Sequence, residues 1–406
     1  MTKLFYGLLN IIIFISLVFA QIKERNDCNK IRNYIEYGLE LDSADIINEC
    51  SINDFGVVTN LNIYDYYDSL TEKNIIKIIN FKSIKYLTIQ NVKLTQNIIK
   101  VISNISNLLY LEIEKCEFNE KDINILKKHG RLNTLYLDSN NDYKIGKNAL
   151  SGFMNLKKII LDGIAISQDN INEISSLPKI SNVKLSFSTV TDSIDFKPIK
   201  ENRRITTLEI LHINGGNLKG GFFEGFTNVK RLVFAWMNLT QENINDIANL
   251  TKLREITFFE CNNYDKINFD PLNQLKYITV FKVIGKEFET NPIKEIPDVV
   301  YSFNKLKKIT ITHQSITSIP EEIVKLNDLE YIDLCYNNLF ELPDFLNSIS
   351  KLNYVNFKAN NNLKGQVLTN GSLNRCFYDE DNDFLCIDPE SNLKCLKNYY
   401  LNECSK

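Results

Sequence analysis

The stretches Leu132-Asn-Thr-Leu135-Tyr-Leu137-Asp-Ser-Asn140 and Leu329-Glu-Tyr-Ile332-Asp-Leu334-Cys-Tyr-Asn337-Asn-Leu339 share one pattern: an aliphatic residue, two variable positions, then two aliphatics separated by a single residue. Alternation of that kind sends two side chains to one face of a short strand. With any aliphatic or Phe admitted to the three slots, the pattern recurs thirteen times along the chain. It begins at Val58, Ile84, Leu108, Leu132, Leu156, Ile180, Ile205, Val229, Leu253, Leu275, Leu306, Leu329 and Leu352. Successive starts lie 26, 24, 24, 24, 24, 25, 24, 24, 22, 31, 23 and 23 residues apart. A ladder with a near-constant step marks stacked structural units, each too small to bury its own apolar edge.

Positions within each unit are numbered here from its first aliphatic residue. Positions 4 and 6 are the inward strand residues, as in Leu111 with Ile113 or Ile332 with Leu334. Position 9 often holds a small polar residue suited to bonding backbone at the turn that follows. Asn140, Asn337 and Asn360 stand there, and Cys116 and Cys261 occupy the same slot. Positions 16, 19 and 22 keep helical spacing in Ile99/Ile102/Ile105, Ile171/Ile174/Leu177 and Ile244/Ile247/Leu250. Thr95, Asn119, Ser167 and Thr240 stand where a helix N-cap belongs. Strand, turn, short helix and return predict an α/β solenoid. A helical side wider than the strand side curves such a stack, with the parallel β-sheet on the concave face and the short helices on the convex face.

The two quoted stretches resemble the leucine-rich-repeat signature, and Ile316-Thr-Ser-Ile-Pro-Glu-Glu-Ile323 resembles the convex half of that family's typical repeats. Asn361-Asn-Leu-Lys-Gly365 is similar to the extracellular, plant-type variety, as is the cysteine-framed N-terminus. The Asn/Ile-rich composition and Cys-rich tail look most like the secreted L-domain-like proteins of gut anaerobic fungi. The likeness covers about Val58 to Leu363. It implies a leucine-rich-repeat solenoid, a curved right-handed coil that recognises a protein or a glycan. The middle repeats depart from the pattern, because position 9 is Ile164, Ser188, Ile213, Met237 and Val283 there. That leaves their turn geometry open.

Residues 1–20 read as a secretory signal peptide. Lys3 supplies the positive charge, residues 8–19 the apolar run, and Val18 and Ala20 the small residues before a cut ahead of Gln21. Residues 21–57 are expected to form an N-terminal cap, 58–363 the repeats and 364–406 a Cys-rich C-terminal cap. Nine cysteines are an odd number, so at least one is unpaired within the chain. Cys28 and Cys50 are expected to bridge across the N-terminal cap, stabilising it by roughly 3 kcal/mol on a chain-entropy basis. Cys376, Cys386, Cys395 and Cys404 suggest two more bridges, with three connectivities open. Cys116 and Cys261 read as buried thiols. Cys335, at position 7, is either a tolerated serine replacement or a reactive thiol. Asn104, Asn238, Asn249 and Asn370 begin N-glycosylation sequons. Together these features place the chain outside the cell.

Positions 3, 5, 7 and 8 of the strands are expected to face solvent. Positions 7 and 8 carry an aromatic series, Phe187, His212, Trp236, Phe259, Phe281, His313 and Tyr336, which is the candidate ligand-binding row. Beside it runs a basic band of Lys157, Lys158, Lys230, Arg231, Arg254, Lys276, Lys307 and Lys308. The net charge of −3 supplies no global field for nucleic acid. No nucleophile elbow, phosphate loop or metal-ligand spacing is present, so neither enzyme activity nor a cofactor is expected. Two irregularities, an insertion around 285–304 and the Gly-rich Asn214-Gly215-Gly216-Asn217 with Gly220-Gly221, are either loop variants or functional flaps. The readings that follow are a recognition module for an extracellular protein or glycan, an inhibitor or regulator of a secreted hydrolase, or a structural cell-wall component.

Overall fold

The computed structural model describes residues 26–118, 120–187, 194–212, 218–287, 292–379, 382–388, 394–396 and 401–404; at 139–144, 187, 212 and 394 it describes backbone alone. The signal-peptide reading, Asn119 and Asn214 to Asn217 therefore lie outside the described residues. The chain divides into two compact units after Ile180.

In the first unit, α1 (Asp27–Asn33) starts at Asn26, whose side chain accepts from Asn29 N at 2.9 Å. The Cys28–Cys50 disulfide ties α1 to β1 (Ile47–Ile52), which runs antiparallel to β2 (Val58–Tyr64). A strand of reversed direction at the start of the stack covers a sheet edge that would otherwise be open. From β2 onward the ladder is parallel, through β3 (Tyr86–Gln90), β4 (Tyr110–Glu114), β5 (Thr134–Lys144) and β6 (Lys158–Ala165). Leu61, Leu87, Leu111, Leu135 and Ile159 stand in one register row and are all buried. Each such burial is worth roughly 1.5–3 kcal/mol.

The chain returns through α2 (Glu72–Ile79), α3 (Gln96–Ser103), α4 (Glu120–Leu126) and α5 (Gln168–Ser176). Each described cap has a physical cause. Thr71, Thr95 and Ser167 accept the backbone N–H three residues on, each at 3.3 Å. Thr71 and Ser167 complete capping boxes with Asn74 and Asn170 in the place usually held by Glu. The stripes Ile99/Ile102/Ile105 and Ile171/Ile174/Leu177 are buried, as their spacing predicts.

The second unit continues the same plan with β7 (Asn182–Phe187), β8 (Thr207–His212), β9 (Arg231–Ala235), β10 (Glu255–Phe259), β11 (Val280–Ile284), β12 (Lys308–Thr312), β13 (Tyr331–Asp333) and β14 (Tyr354–Asn356), all parallel. Its register corrects the repeat ladder at one place. Ile256 pairs with Phe281 and Phe281 with Ile309, so the repeat begins at Ile278, not Leu275. Counted from Leu253, the steps become 25 and 28 residues in place of 22 and 31. Leu275 mimics a repeat start because it is buried for another reason: it ends the 3₁₀ turn Asp270–Gln274. The shift moves Val283 to position 6 and puts Lys286 at position 9.

The return path also changes character. α6 (Lys197–Glu201) and α7 (Gln241–Ala248, capped by Thr240) are helices. Beyond them the returns are 3₁₀ turns at Asp270–Gln274, Asp298–Ser302, Glu321–Lys325 and Asp344–Ser348. Pro271 sits at the start of the first, and Pro297, Pro320 and Pro343 immediately precede the others. Proline lacks the N–H that a helix start leaves unused, and its fixed φ favours a tight beginning. The shorter turn suits the 23-residue step of the last two of those repeats.

At the far end, β16 (Arg375–Phe377) pairs in parallel with β14 and sets Cys376 beside Val355, one turn past Leu363. A three-stranded sheet follows, of β15 (Gly365–Gln366), β17 (Leu385–Ile387) and β18 (Asn402–Glu403). The bridges are Cys376–Cys395 and Cys386–Cys404, an interleaved pairing. Asn370 is only 4% exposed, and its Nδ2 donates to Leu346 O at 3.0 Å and Ile349 O at 2.9 Å. That nitrogen is where a glycan would attach, so the reading of Asn370 as an acceptor is corrected: its amide is a buried structural bond. Among the described residues no helix is long and apolar enough to cross a membrane.

Candidate ligand-binding face

The backbone after eight of the strands adopts one unusual conformation. Position 8 is left-handed at Asn91, Lys115, Gly163, Trp236, Glu260, His313, Tyr336 and Ala359, with φ between 47° and 60°. That turn swings position 9 back into the core, and Val92, Cys116, Ile164, Met237, Cys261, Gln314, Asn337 and Asn360 are all buried. It also fixes the direction of the position 8 side chain at the rim of the sheet. Glycine or asparagine occupies such backbone at least cost, and a bulky residue is disfavoured there. Trp236, His313 and Tyr336 are therefore aromatic residues held where backbone preference alone would not put them.

The predicted aromatic row separates into pairs. Trp236 and Phe259, both half-buried, meet edge to face with centroids 5.8 Å apart, and Trp236 Nε1 donates to Glu260 Oε2 at 2.9 Å. His313 and Tyr336 stack face to face, centroids 4.2 Å apart at 11°. Tyr336 remains 49% exposed. Phe281 does not belong to the row. As the corrected register requires, it is a position 4 residue with 0% exposure, packed against Phe258, Phe269 and Phe303. The side chains of Phe187 and His212 lie outside the described residues.

A second set of rings escaped the sequence reading, because it stands at positions 3 and 5. Tyr331 and Tyr354 stack at 3.9 Å and 9°, Tyr354 lies 5.4 Å from Phe377, and Lys308 Nζ sits 5.6 Å from the Tyr331 ring. Tyr331 donates to Asp333 Oδ2 at 3.2 Å; burial, Tyr354 and Asp333 push its phenol well above the ordinary range. Tyr recurring at position 3 was the available signal, since Tyr86 and Tyr110 occupy it too, with centroids 6.2 Å apart in the first unit.

The other candidate groups fall in plain places. Cys116 and Cys261 are buried, and burial pushes both thiols up to about 12. Cys335 is half-buried beside Asp333, and burial with that charge pushes it up to about 12 as well. Arg231 and Lys307 of the basic band face Glu255 at 3.7 Å and Glu330 at 2.6 Å, one repeat on. Such cross-strand pairing makes these two members of the band locally neutral. Asn104 and Asn249 are exposed at helix C-termini, whereas Asn238 is half-buried and accepts from Asn262 Nδ2 at 2.7 Å. His129 is buried, its Nε2 2.8 Å from Ile105 O. Among the described residues no cluster of side chains is arranged to hold a metal ion.

No protein-family profile matches the sequence, and no curated protein does. Solved structures do match. A chain of the Toll–Spätzle complex of Drosophila aligns with 12% identity and TM-score 0.50, over 82% of this chain and 50% of that one. An internalin of Listeria monocytogenes aligns with 17% identity and TM-score 0.40, over 96% and 98%. A leucine-rich-repeat protein of Leptospira interrogans aligns with 18% identity and TM-score 0.42, over 82% and 92%. At these identities the likeness concerns the fold: the chain is a leucine-rich-repeat solenoid with cysteine-bridged ends.

Proposed function

We propose that the chain is a secreted, non-catalytic recognition module that holds a protein or glycan ligand on the strand face of its second unit. One observation carries the reading: two parallel ring stacks, His313/Tyr336 and Tyr331/Tyr354, on a face where Tyr336 is half exposed. Rings already immobilised by a neighbour offer large contact area and lose little rotamer freedom on binding, which is why aromatics dominate binding hot spots. Trp236 with Phe259 extends the surface, three strands away from His313. Three disulfides support an oxidising compartment. Exposed Asn104 and Asn249, at the ends of return helices, would carry glycans away from the strands.

The test is binding by the full chain to a glycan array and, in parallel, pull-down of secreted proteins including hydrolases. Tyr354→Ala together with Trp236→Ala should weaken the ligand so found at least tenfold, about 1.4 kcal/mol. Undiminished affinity in that variant, with an unchanged melting temperature, would overturn the reading.

A further inference from the structure

We infer that the groove at the C-terminal ends of β12 and β13 is a subsite for a neutral saccharide. The inference rests on the recognition reading above and names its ligand class. The groove encloses about 450 Å³, within the usual range of small-ligand sites of roughly 300–1,000 Å³. His313 and Tyr336 form one wall, and Gln314, Ser315, Asn338 and Asn361 supply much of the rest. The chemistry of that lining is selective. His313 covers one face of the Tyr336 ring, and the ring is still half exposed, so an apolar platform is available. A pyranose ring presents just such a partner surface, a flat patch of C–H groups, rimmed by hydroxyls that each donate and accept. Amides and hydroxyls answer that rim in both directions.

Charge argues the same way. Among the described residues the groove carries one ammonium, Lys286, and one carboxylate, Glu287, and Lys286 Nζ already donates to Asn262 Oδ1 at 2.7 Å. A sulfated or phosphorylated ligand would find no surplus of cations among those described residues. An apolar peptide anchor would find a shallow polar trough, not the desolvated pocket that such anchors fill.

A second observation points to a ligand independently. Gln314 is 7% exposed and its Oε1 accepts from Ile293 N at 2.7 Å, yet its Nε2 is buried with no partner among the described residues. A buried amide N–H left unmade is costly, on the order of 1–3 kcal/mol. The Asn residues at position 9 in the next two repeats satisfy every such proton. Gly285 lets the neighbouring backbone pack directly against the Gln314 amide, because a Cβ there would collide with that amide and with the His313 carbonyl. A ligand acceptor that reached this amide from the groove would remove that cost.

The experiment is calorimetric titration of the full disulfide-bonded chain with cellohexaose, xylohexaose, mannohexaose and chitohexaose. At least one should bind with a Kd of roughly millimolar or tighter. Tyr336→Asn should weaken that binding at least tenfold without loss of melting temperature, because asparagine suits left-handed backbone better than tyrosine does. Tyr336→Phe should stay within about threefold, since the stacking face remains. Failure of all four oligosaccharides, or binding indifferent to Tyr336→Asn, overturns the saccharide assignment. A protein ligand whose affinity falls in Tyr354→Ala, found alongside four silent hexasaccharides, would leave the recognition reading standing while this one falls. Silence in both assays removes both.

Discussion

Asn360 and Cys261 occupy the same position of their repeats, are equally buried, and close the same turn by different chemistry. At Asn360 one amide does everything. Its Nδ2 donates to Leu334 O at 3.0 Å in the previous repeat and to Phe357 O at 2.9 Å in its own, while Oδ1 accepts from Leu339 N at 2.9 Å. Asn337 repeats the arrangement with Ile311, Leu334 and Ile316. At Cys261 the thiol reaches back to Phe234 O at 3.2 Å, but a thiol has a single proton. The carbonyl of its own strand is met by the buried hydroxyl of Tyr264, which accepts from Cys261 N at 3.1 Å and shares its proton between Phe258 O and Ile284 O, both at 3.3 Å, while Leu239 N donates to Asn262 O at 3.2 Å. The repeat architecture therefore dictates which carbonyls must be met, and leaves open how many residues meet them.

Breaking the single-residue version should have the largest effect. Asn360→Ala strands several buried groups at once and should lower stability by about 3 kcal/mol, read from the midpoint of chemical unfolding. In the divided version each loss is smaller. Tyr264→Phe should cost about 1–2 kcal/mol, and Cys261→Ala about 1 kcal/mol, since sulfur bonds are weak. The comparison sharpens in a double-mutant cycle: Cys261→Asn placed in the Tyr264→Phe background should recover more than half of the loss. Additive effects would mean that the two residues act separately, contrary to the geometry.

The smallest expected effect concerns thiol chemistry. Burial raises Cys116 and Cys261 from an ordinary 9 to about 12, and Cys335 likewise. Because the neutral form is favoured in the fold, the stabilisation is complete below about pH 9. It is lost as pH rises through 9 toward 12, where the unfolded chain ionises and the folded chain does not. Alkylation at pH 8 should accordingly leave the native chain almost unlabelled and find three thiols after denaturation. Rapid labelling of Cys335 in the native state would identify it as reactive after all.

The contrast also explains what could be read beforehand. Asn337 and Asn360 announce their role locally, through a fixed offset from Leu334 and Phe357. The Cys261–Tyr264 pair carries no such signature, because a cysteine at position 9 says nothing about which hydroxyl completes its bonds. The candidate site divides likewise. His313 and Tyr336 were visible as a column of rings one step apart. Tyr331 and Tyr354 stand in another column, position 3, where Lys158, Arg231 and Lys308 also fall and give the column a basic character.

What the sequence determined by itself was everything of short range: the alternation that makes each strand, the Thr and Ser caps that start the helices, the prolines that shorten later returns, and the step that stacks them. These depend on a residue and neighbours within one turn. Tertiary structure alone decided whether Leu275 or Ile278 opens a repeat, and hence that Phe281 is core. Both residues are buried aliphatics three positions apart, and only pairing with Ile256 and Ile309 distinguishes them. It likewise chose the pairing of four C-terminal cysteines, buried the Asn370 amide and stacked rings from different repeats. Each of these is a contact between residues about twenty apart in sequence, whose distance is set by the register of the whole stack and by no local preference.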